Sequence, residues 1–197
     1  NLRLAAEMIL PSPVLDEFSQ QVEPERTFVR YEVRLAVRRG DPLSTGLQLR
    51  LVNEQLSPIP SAKDHLRFPD SAAYVNRFVH GAHKFFPLST TEENGNTIIQ
   101  IQNGSRGRPR KIAANNAQRT VLSATASAEN PIILAAQAEM RSWRFVALEP
   151  SAMRAPDDVV EARPISATGA HIPSSLFRQE LQEGDGSNVM NRVRDAI

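Results

Sequence analysis

The sequence predicts an α+β fold, with a mostly antiparallel β-sheet through the first two-thirds of the chain and a few helices packed on it in the last third. Three observations point there. Apolar and polar residues alternate with period two in several early segments, prolines and glycines cut those segments to hairpin length, and helix start signals gather only after Asn130. The division implied is a β-rich region over residues 1–128 and a helix-containing region over residues 129–197, which together make one domain.

The first element is Leu2 to Leu10, where Leu2, Leu4, Ala6, Met8 and Leu10 alternate with Arg3, Ala5, Glu7 and Ile9. Pro11 and Pro13 end it, because neither has the N–H that a ladder needs. The clearest strand is Phe28 to Arg38: Val29, Tyr31, Val33, Leu35 and Val37 point one way and Arg30, Glu32, Arg34 and Arg38 the other, one face packed and one wet. Gly40, Asp41, Pro42 and Gly46 make a loop, and Leu47, Leu49 and Leu51 then resume the alternation against Gln48, Arg50 and Asn53. Two such strands on a short loop predict an antiparallel hairpin. Pro58, Pro60 and Pro69 make the stretch after Leu56 irregular. Thr97 to Gln102 is a third β-rich run, and a turn over Asn103 to Lys111 separates it from a weaker continuation that gathers at Thr120, Val121 and Leu122.

Asn130-Pro131 opens the first helix, with Asn as cap and Pro at the position where a missing donor costs nothing. Ile133, Ala136, Met140 and Trp143 follow at helical spacing. Arg144 to Glu149 reads as a short strand leaving that helix, Pro173 opens a second helix carrying Leu176, Phe177 and Leu181, and Ser187 caps a last one whose Val189, Val193 and Ile197 share a face. The chain opens on Asn1 within a strand-like alternation and runs to Ile197 without a helix stop signal, the pattern expected of a fragment.

Composition removes several function classes. The 197 residues are 41% hydrophobic and 23% charged, and 23 Lys and Arg against 22 Asp and Glu leave a net charge of +1, so no overall field draws nucleic acid or an anionic membrane. With no cysteine, disulfide frameworks, thiolate catalysis and Cys-based zinc or iron–sulfur ligation are all excluded. A reducing, cytoplasmic setting fits that usage. No apolar run approaches the roughly 20 residues that span a bilayer, so no membrane partner is expected.

Nucleotide binding by a P-loop needs Gly followed by Lys and Ser or Thr, because backbone N–H groups cradle the phosphates while the ammonium reaches the outer ones. Lys63, Lys84 and Lys111 follow Ala62, His83 and Arg110, so none is a P-loop lysine. Phe145 to Leu148 followed by Glu149 has the outline of a Walker B strand, but Pro150 comes next, and a strand ending at the surface is the plainer reading. His80 and His83 fall at a spacing that sets two imidazoles on one side of a helical turn, without the third ligand that a metal needs, while His65 stands alone. Ser123, Ser151 and Ser166 have no G-x-S-x-G setting. The acid pairs Asp157-Asp158 and Glu92-Glu93 read as solvated loop residues, since neighbours on an extended chain point apart.

The sharpest local motif is Gly104-Ser105-Arg106-Gly107-Arg108-Pro109-Arg110-Lys111. An Arg-Gly-Arg-Pro core flanked by basic residues matches the AT-hook pattern, in which an extended arm sets arginines into the narrow minor groove of A·T-rich duplex DNA. From Gly95 to Ala128 there are basic residues at Arg106, Arg108, Arg110, Lys111 and Arg119 and no acid. Arg106, Arg108, Arg110 and Lys111 are therefore the candidate nucleic-acid contacts; the plainer alternative is a turn between two strands.

Taken together, Arg119-Thr120-Val121-Leu122-Ser123, Glu139-Met140-Arg141-Ser142-Trp143-Arg144, Leu148 to Arg154 with Pro156-Asp157-Asp158, and Thr168 to Pro173 resemble the interior of a bacterial predicted ATPase of the AAA-labelled, RecF/SMC-like group. The nucleotide-binding head of that group is of the ABC class. Leu2 to Leu10, Phe28 to Arg38 and Asn53-Glu54-Gln55-Leu56 fit the same likeness, which covers most of the chain. The resemblance implies that ATP and Mg²⁺ belong to the parent protein while its Walker A, signature and Walker B motifs lie outside these residues, so no catalytic, cofactor-binding or metal residue carries over. It makes Gly107-Arg108-Pro109 a scaffold turn, and it names the rest of the ATPase head, a second copy in a homodimer, and duplex DNA as partners. Arg154 and His171 are candidate interface residues across a head dimer; the plainer expectation pairs Arg154 with Asp157 and lets His171 cap the helix opening at Pro173. The function expected is a bracing region of an ATPase head. A DNA-binding module and an oligomerisation domain are the alternatives.

Overall fold

Strand alternation and its interruptions account for most of the architecture. The computed structural model describes residues 1–39, 47–60, 66, 71–81, 85–103, 108–117, 119–125, 127–158, 160 and 163–183. The chain divides into two compact units, Asn1–Ser142 and Trp143–Ile197. Among the described residues it is α+β, with a six-stranded antiparallel sheet and five helices. No helix among the described residues is long and apolar enough to cross a membrane.

In the first unit, β1 (Leu2–Ile9) is followed by a small two-stranded ribbon, β2 (Val14–Leu15) with β3 (Gln21–Val22), and then by the long hairpin β4 (Phe28–Arg39) and β5 (Leu47–Pro58). Helix α1 (Ser71–Phe78) comes next, then β6 (Leu88–Glu93), β7 (Asn96–Ile101), β8 (Arg110–Ala113), α2 (Val121–Ala124) and α3 (Pro131–Ser142). The sheet order is β1-β4-β5-β6-β7-β8, antiparallel at every pairing.

The expected β4–β5 hairpin forms, and the loop residues Gly40 to Gly46 lie outside the described residues. Its register carries one irregularity. Arg34 pairs with Asn53 but Leu35 with Leu51, so Val52 is an extra residue on β5. A bulge of this kind bends the strand and shifts the phase of its side chains. Leu49 and Leu51 on one side of it and Glu54 and Leu56 on the other thereby all face the same way, opposite Val37, Leu35, Val33 and Tyr31.

That face carries the main core. Met8, Val29, Tyr31, Val33, Leu51, Leu56, Leu88, Ile99 and Ile101 pack with Val121, Leu122 and the run Ile132 to Ala136. Burying each of the larger side chains contributes about 1.5–3 kcal/mol. The first half of α3 is buried on every side rather than along one stripe, and Trp143 beyond it is half exposed. The packed face also thins along β1, where Leu2 and Leu4 are 49% and 53% exposed while Met8 is buried. On the opposite face, Phe28 and Ile59 pack with Ile9, Leu66, Val75 and Val79, so α1 covers one end of it.

Three elements differ from the sequence expectation. The stretch after Leu56 contains α1 and β6, which the prolines and the polar run Ser89 to Glu93 conceal. Thr120, Val121 and Leu122 are not a strand: Thr120 accepts from the Ser123 amide at 3.2 Å and caps the short helix α2, while the β continuation is β8. Arg144 to Glu149 is not a strand either; it is extended, with Ala147 and Glu149 amides donating to Ala167 and Thr168 carbonyls at 2.8 and 2.9 Å.

The second unit contains α4 (Pro150–Arg154) and α5 (Ile172–Glu183), the latter opening around Pro173 as expected. Leu181 stands 66% exposed on α5 and Phe177 44%. The helix expected after Ser187 lies outside the described residues.

Candidate functional site

Among the described residues of the first unit, one buried acid with several hydrogen bonds is concealed by the alternation pattern. Strict alternation carried on from Leu51 turns Glu54 outward, and the bulge turns it inward, where it is fully buried. Its carboxylate accepts from the amides of Val121 and Leu122 at 2.7 and 2.8 Å and from the Tyr31 hydroxyl at 3.1 Å. The two amides belong to the first turn of α2, whose N–H groups have no partner within the helix. Burial pushes the Glu54 carboxyl up from the usual carboxylate range, with the three hydrogen bonds pulling against it. Burial and the neighbouring Glu54 charge push the Tyr31 hydroxyl up as well, which keeps it a donor.

The main chain of Glu54 is held too. Its amide donates to Thr90 Oγ1 at 2.8 Å, and the same hydroxyl donates to the Glu54 carbonyl at 2.7 Å, so a side chain from β6 replaces one rung of the ladder. At the other end of α2, Gln137 Nε2 donates to the Leu122 and Ser123 carbonyls at 3.1 and 3.0 Å. A helix of four residues is thus held at its start by β5 and at its end by α3.

The outer face of the sheet is wet, as expected, but bonded. Glu32 accepts from Arg3 at 2.5 Å and from Arg34 at 2.9 Å, and Arg30 donates to Glu7 at 2.9 Å. The Arg3 and Arg34 guanidinium groups hold the Glu32 carboxyl below the usual range despite its burial.

A tight crossing anchors α1. The Thr27 hydroxyl donates to the Phe78 carbonyl at 2.7 Å and accepts from the His80 amide at 2.8 Å. Gly81, at φ +94°, lies so close that a Cβ would stand 2.1 Å from the Glu25 carbonyl oxygen. His80 therefore follows the end of α1 in a loop rather than sitting on a helical turn, and His83 lies outside the described residues, as does His65.

Of the candidate nucleic-acid contacts, Arg106 lies outside the described residues. Arg108 is exposed in the loop before β8, Arg110 is exposed at its first position, and Lys111 on the same strand is paired with Glu93 of β6. Arg119 is exposed just ahead of α2. The structure thus brings Arg108 and Arg110 to the β8 edge of the sheet and pairs the exposed Lys111 of the same strand with Glu93.

In the second unit, Arg154 ends α4 with its side chain exposed. The expected partner of Asp157 is corrected: its carboxylate goes to His171, not Arg154. Asp157 Oδ1 lies 2.7 Å from His171 Nδ1, and Oδ2 accepts from the Ser174 amide at 3.0 Å. Asp157, read as a solvated acid, is the residue that satisfies the first turn of α5, and His171 is the residue that orients it. His171 adopts φ +69°, a left-handed conformation uncommon for a non-glycine residue. The bonds from His171 and Ser174 hold the Asp157 carboxyl well below the usual range.

Among the described residues no group of three or more His, Asp or Glu side chains is placed to hold a metal ion. The one described lysine, Lys111, is engaged by Glu93, and Glu149, the Walker B-like acid, accepts the Ser151 hydroxyl at 2.8 Å ahead of α4. A cavity lined by Phe85, Gln102, Asn130 and Ile133 holds about 30 Å³, room for one water rather than a nucleotide. Comparison with known proteins finds no matching family model, no matching curated sequence and no matching solved structure.

Proposed function

We propose that this chain is a framework region of an ABC-class ATPase of the RecF/SMC-like group: it braces a nucleotide-binding lobe, presents an outer surface to a partner, and turns over no ATP itself. The observation that carries the bracing role is the Glu54 clamp. Tyr31 of β4, Glu54 of β5, Thr90 of β6, the first amides of α2 and, through Gln137, α3 all meet at one buried point. Displacing α3 therefore loads the sheet through hydrogen bonds rather than through a loop. An ATP-driven head closes because its closed state binds ATP more tightly than ADP, and a region that transmits this closure works only if it is stiff. ATP and Mg²⁺ are assigned to other parts of the parent protein.

The natural coding sequence flanking residues 1 and 197 tests this reading. A Gly-x-x-x-x-Gly-Lys-Ser/Thr stretch upstream is expected, and its absence overturns the assignment. So does Mg²⁺-dependent ATP turnover by the purified chain.

A second reading, contact with duplex DNA, is favoured by the exposure of Arg108, Arg110 and Arg119 in a stretch without acids. Each phosphate contact contributes about −0.9 to the slope of log affinity against log salt. Replacing Arg106, Arg108 and Arg110 by Ala is then expected to flatten the slope and weaken retention; unchanged retention excludes the basic turn.

A further inference from the structure

The sheet of the first unit forks. Among the described residues, β5 and β6 pair through a single register position, Leu56 with Leu88, and the Thr90 hydroxyl makes the next rung at Glu54. Beyond that rung β5 continues with β4, and β6 continues with β7 to the turn at Asn94 and Gly95. At this end of the sheet a cleft of about 730 Å³ is lined by Asn1, Ala36, Val37, Arg50 and Val52 on the β1–β4–β5 side and by Gly95, Asn115 and Asn116 across it.

The inner edge of the β4–β5 arm is chemically specific. Glu54 turns its amide and carbonyl away from β4, since both bond to Thr90. In a pleated strand, residues with side chains on one face direct their main-chain groups to one edge. Leu49 and Leu51 share the face of Glu54 and so direct theirs to the side away from β4, where no described strand pairs with them. Leu49, 61% exposed, and Val52, 38% exposed, supply apolar contact along this edge, on opposite faces. Among the described lining residues Arg50 is the one with a charged side chain. With Arg34 engaged by Glu32, residues 35–53 contain Arg38, Arg39 and Arg50 against Asp41 alone, while on the facing arm Glu93 is already engaged by Lys111 and Glu92 is exposed.

We infer that the open edge of β5 over Leu49–Asn53 binds an extended acidic strand from a partner protein, which adds to the sheet within the cleft. Main-chain hydrogen bonds to Leu49 and Leu51 supply the docking, apolar side chains on one face of the peptide meet the exposed Leu49, and an acidic side chain on the other face meets Arg50. This is strand addition, in which backbone bonds give affinity and alternate side chains give selectivity. The inference stands apart from the ATPase assignment and deepens only the idea of a partner surface, so either can fail without the other.

The probe is fluorescein-labelled acetyl-Thr-Val-Glu-Val-Glu-Val-Thr-amide, titrated with the full chain and read by anisotropy. Saturable binding is expected below about 1 mM. It should weaken about tenfold when alternate peptide nitrogens are methylated, and about fivefold in Arg50→Glu. Arg50→Glu should in turn prefer the same peptide with Lys in place of Glu. Leu49→Pro removes an edge amide without touching the β4 ladder and is expected to weaken binding as well. Arg50 is exposed, so Arg50→Glu keeps the test open if Leu49→Pro fails to fold. Equal binding of the methylated peptide, or no saturable binding, overturns the inference. Slow hydrogen exchange at Leu49 and Leu51 in the free chain overturns it by showing that the edge is already covered, and self-association abolished by Leu49→Pro overturns it in favour of a second copy.

Discussion

Replacing Glu54 by Ala is the most direct challenge to the buried clamp. The substitution leaves three donors facing a void: the Val121 and Leu122 amides and the Tyr31 hydroxyl, now 2.7, 2.8 and 3.1 Å from the acceptors they lose. A buried donor left without a partner costs about 1–3 kcal/mol. A hydroxyl can rotate to find another acceptor where a helix amide cannot, so the two amides dominate. Their loss gives about 3–5 kcal/mol, a large share of the roughly 5–15 kcal/mol that holds a domain together. Glu54→Gln keeps one carbonyl oxygen but turns an NH₂ group toward an N–H, and is expected to cost less, about 1–3 kcal/mol. Tyr31→Phe removes one bond without leaving a buried amide stranded and should cost about 1 kcal/mol. Urea unfolding followed by circular dichroism measures all three, with amide exchange at Val121 and Leu122 locating the loss. A cost below about 1 kcal/mol for Glu54→Ala, or equal costs for the Ala and Gln variants, refutes the idea that this carboxylate holds α2 to the sheet.

Three further expectations follow from the same geometry. Gly81→Ala places a Cβ against the Glu25 carbonyl at a left-handed φ, and should lower stability by about 1–3 kcal/mol in denaturant unfolding; a stability equal to the parent chain shows that the crossing relaxes freely. Gln137→Ala frees the Leu122 and Ser123 carbonyls at the end of α2 and is expected to cost about 1–3 kcal/mol, with exchange at the α2 amides rising before that of β4; unchanged α2 exchange contradicts the two-ended hold. Asp157 has a folded pKa depressed by His171 and Ser174, so its contribution is present above the ordinary Asp value of about 3.9 and is lost as pH falls toward the depressed one. Helicity measured on acidification should therefore drop less in Asp157→Asn, measured against its own neutral-pH value, and identical acid profiles dispose of the claim.

Legibility in the sequence followed how local the determining physics is. The β4–β5 hairpin could be read because alternation is a local property of the chain, and α3 because Asn130-Pro131 fixes its start within two residues. Strand β6 was concealed because Ser89, Thr90, Thr91, Glu92 and Glu93 carry no apolar alternation; it is a strand because β7 pairs with it along its length. Glu54 was concealed for a related reason. A carboxylate is tolerated in a core only when donors arrive from elsewhere, and these arrive from residues 121 and 122, set by a register that no local window contains. The remaining signal was an acid lying between Leu51 and Leu56. Asp157 was misread because adjacent acids do point apart, as Asp157 and Asp158 do, and that divergence is what frees one of them to reach Ser174.

The surplus residue at Val52 decides more than side-chain phase. A strand with one residue too many on one margin must curve, and β5 leaves its neighbour β6 one rung beyond the place where Thr90 has closed the seam. Shortening β5 by Val52 alone would keep Leu51 and Glu54 on the same side of the ribbon and remove the bend at that position.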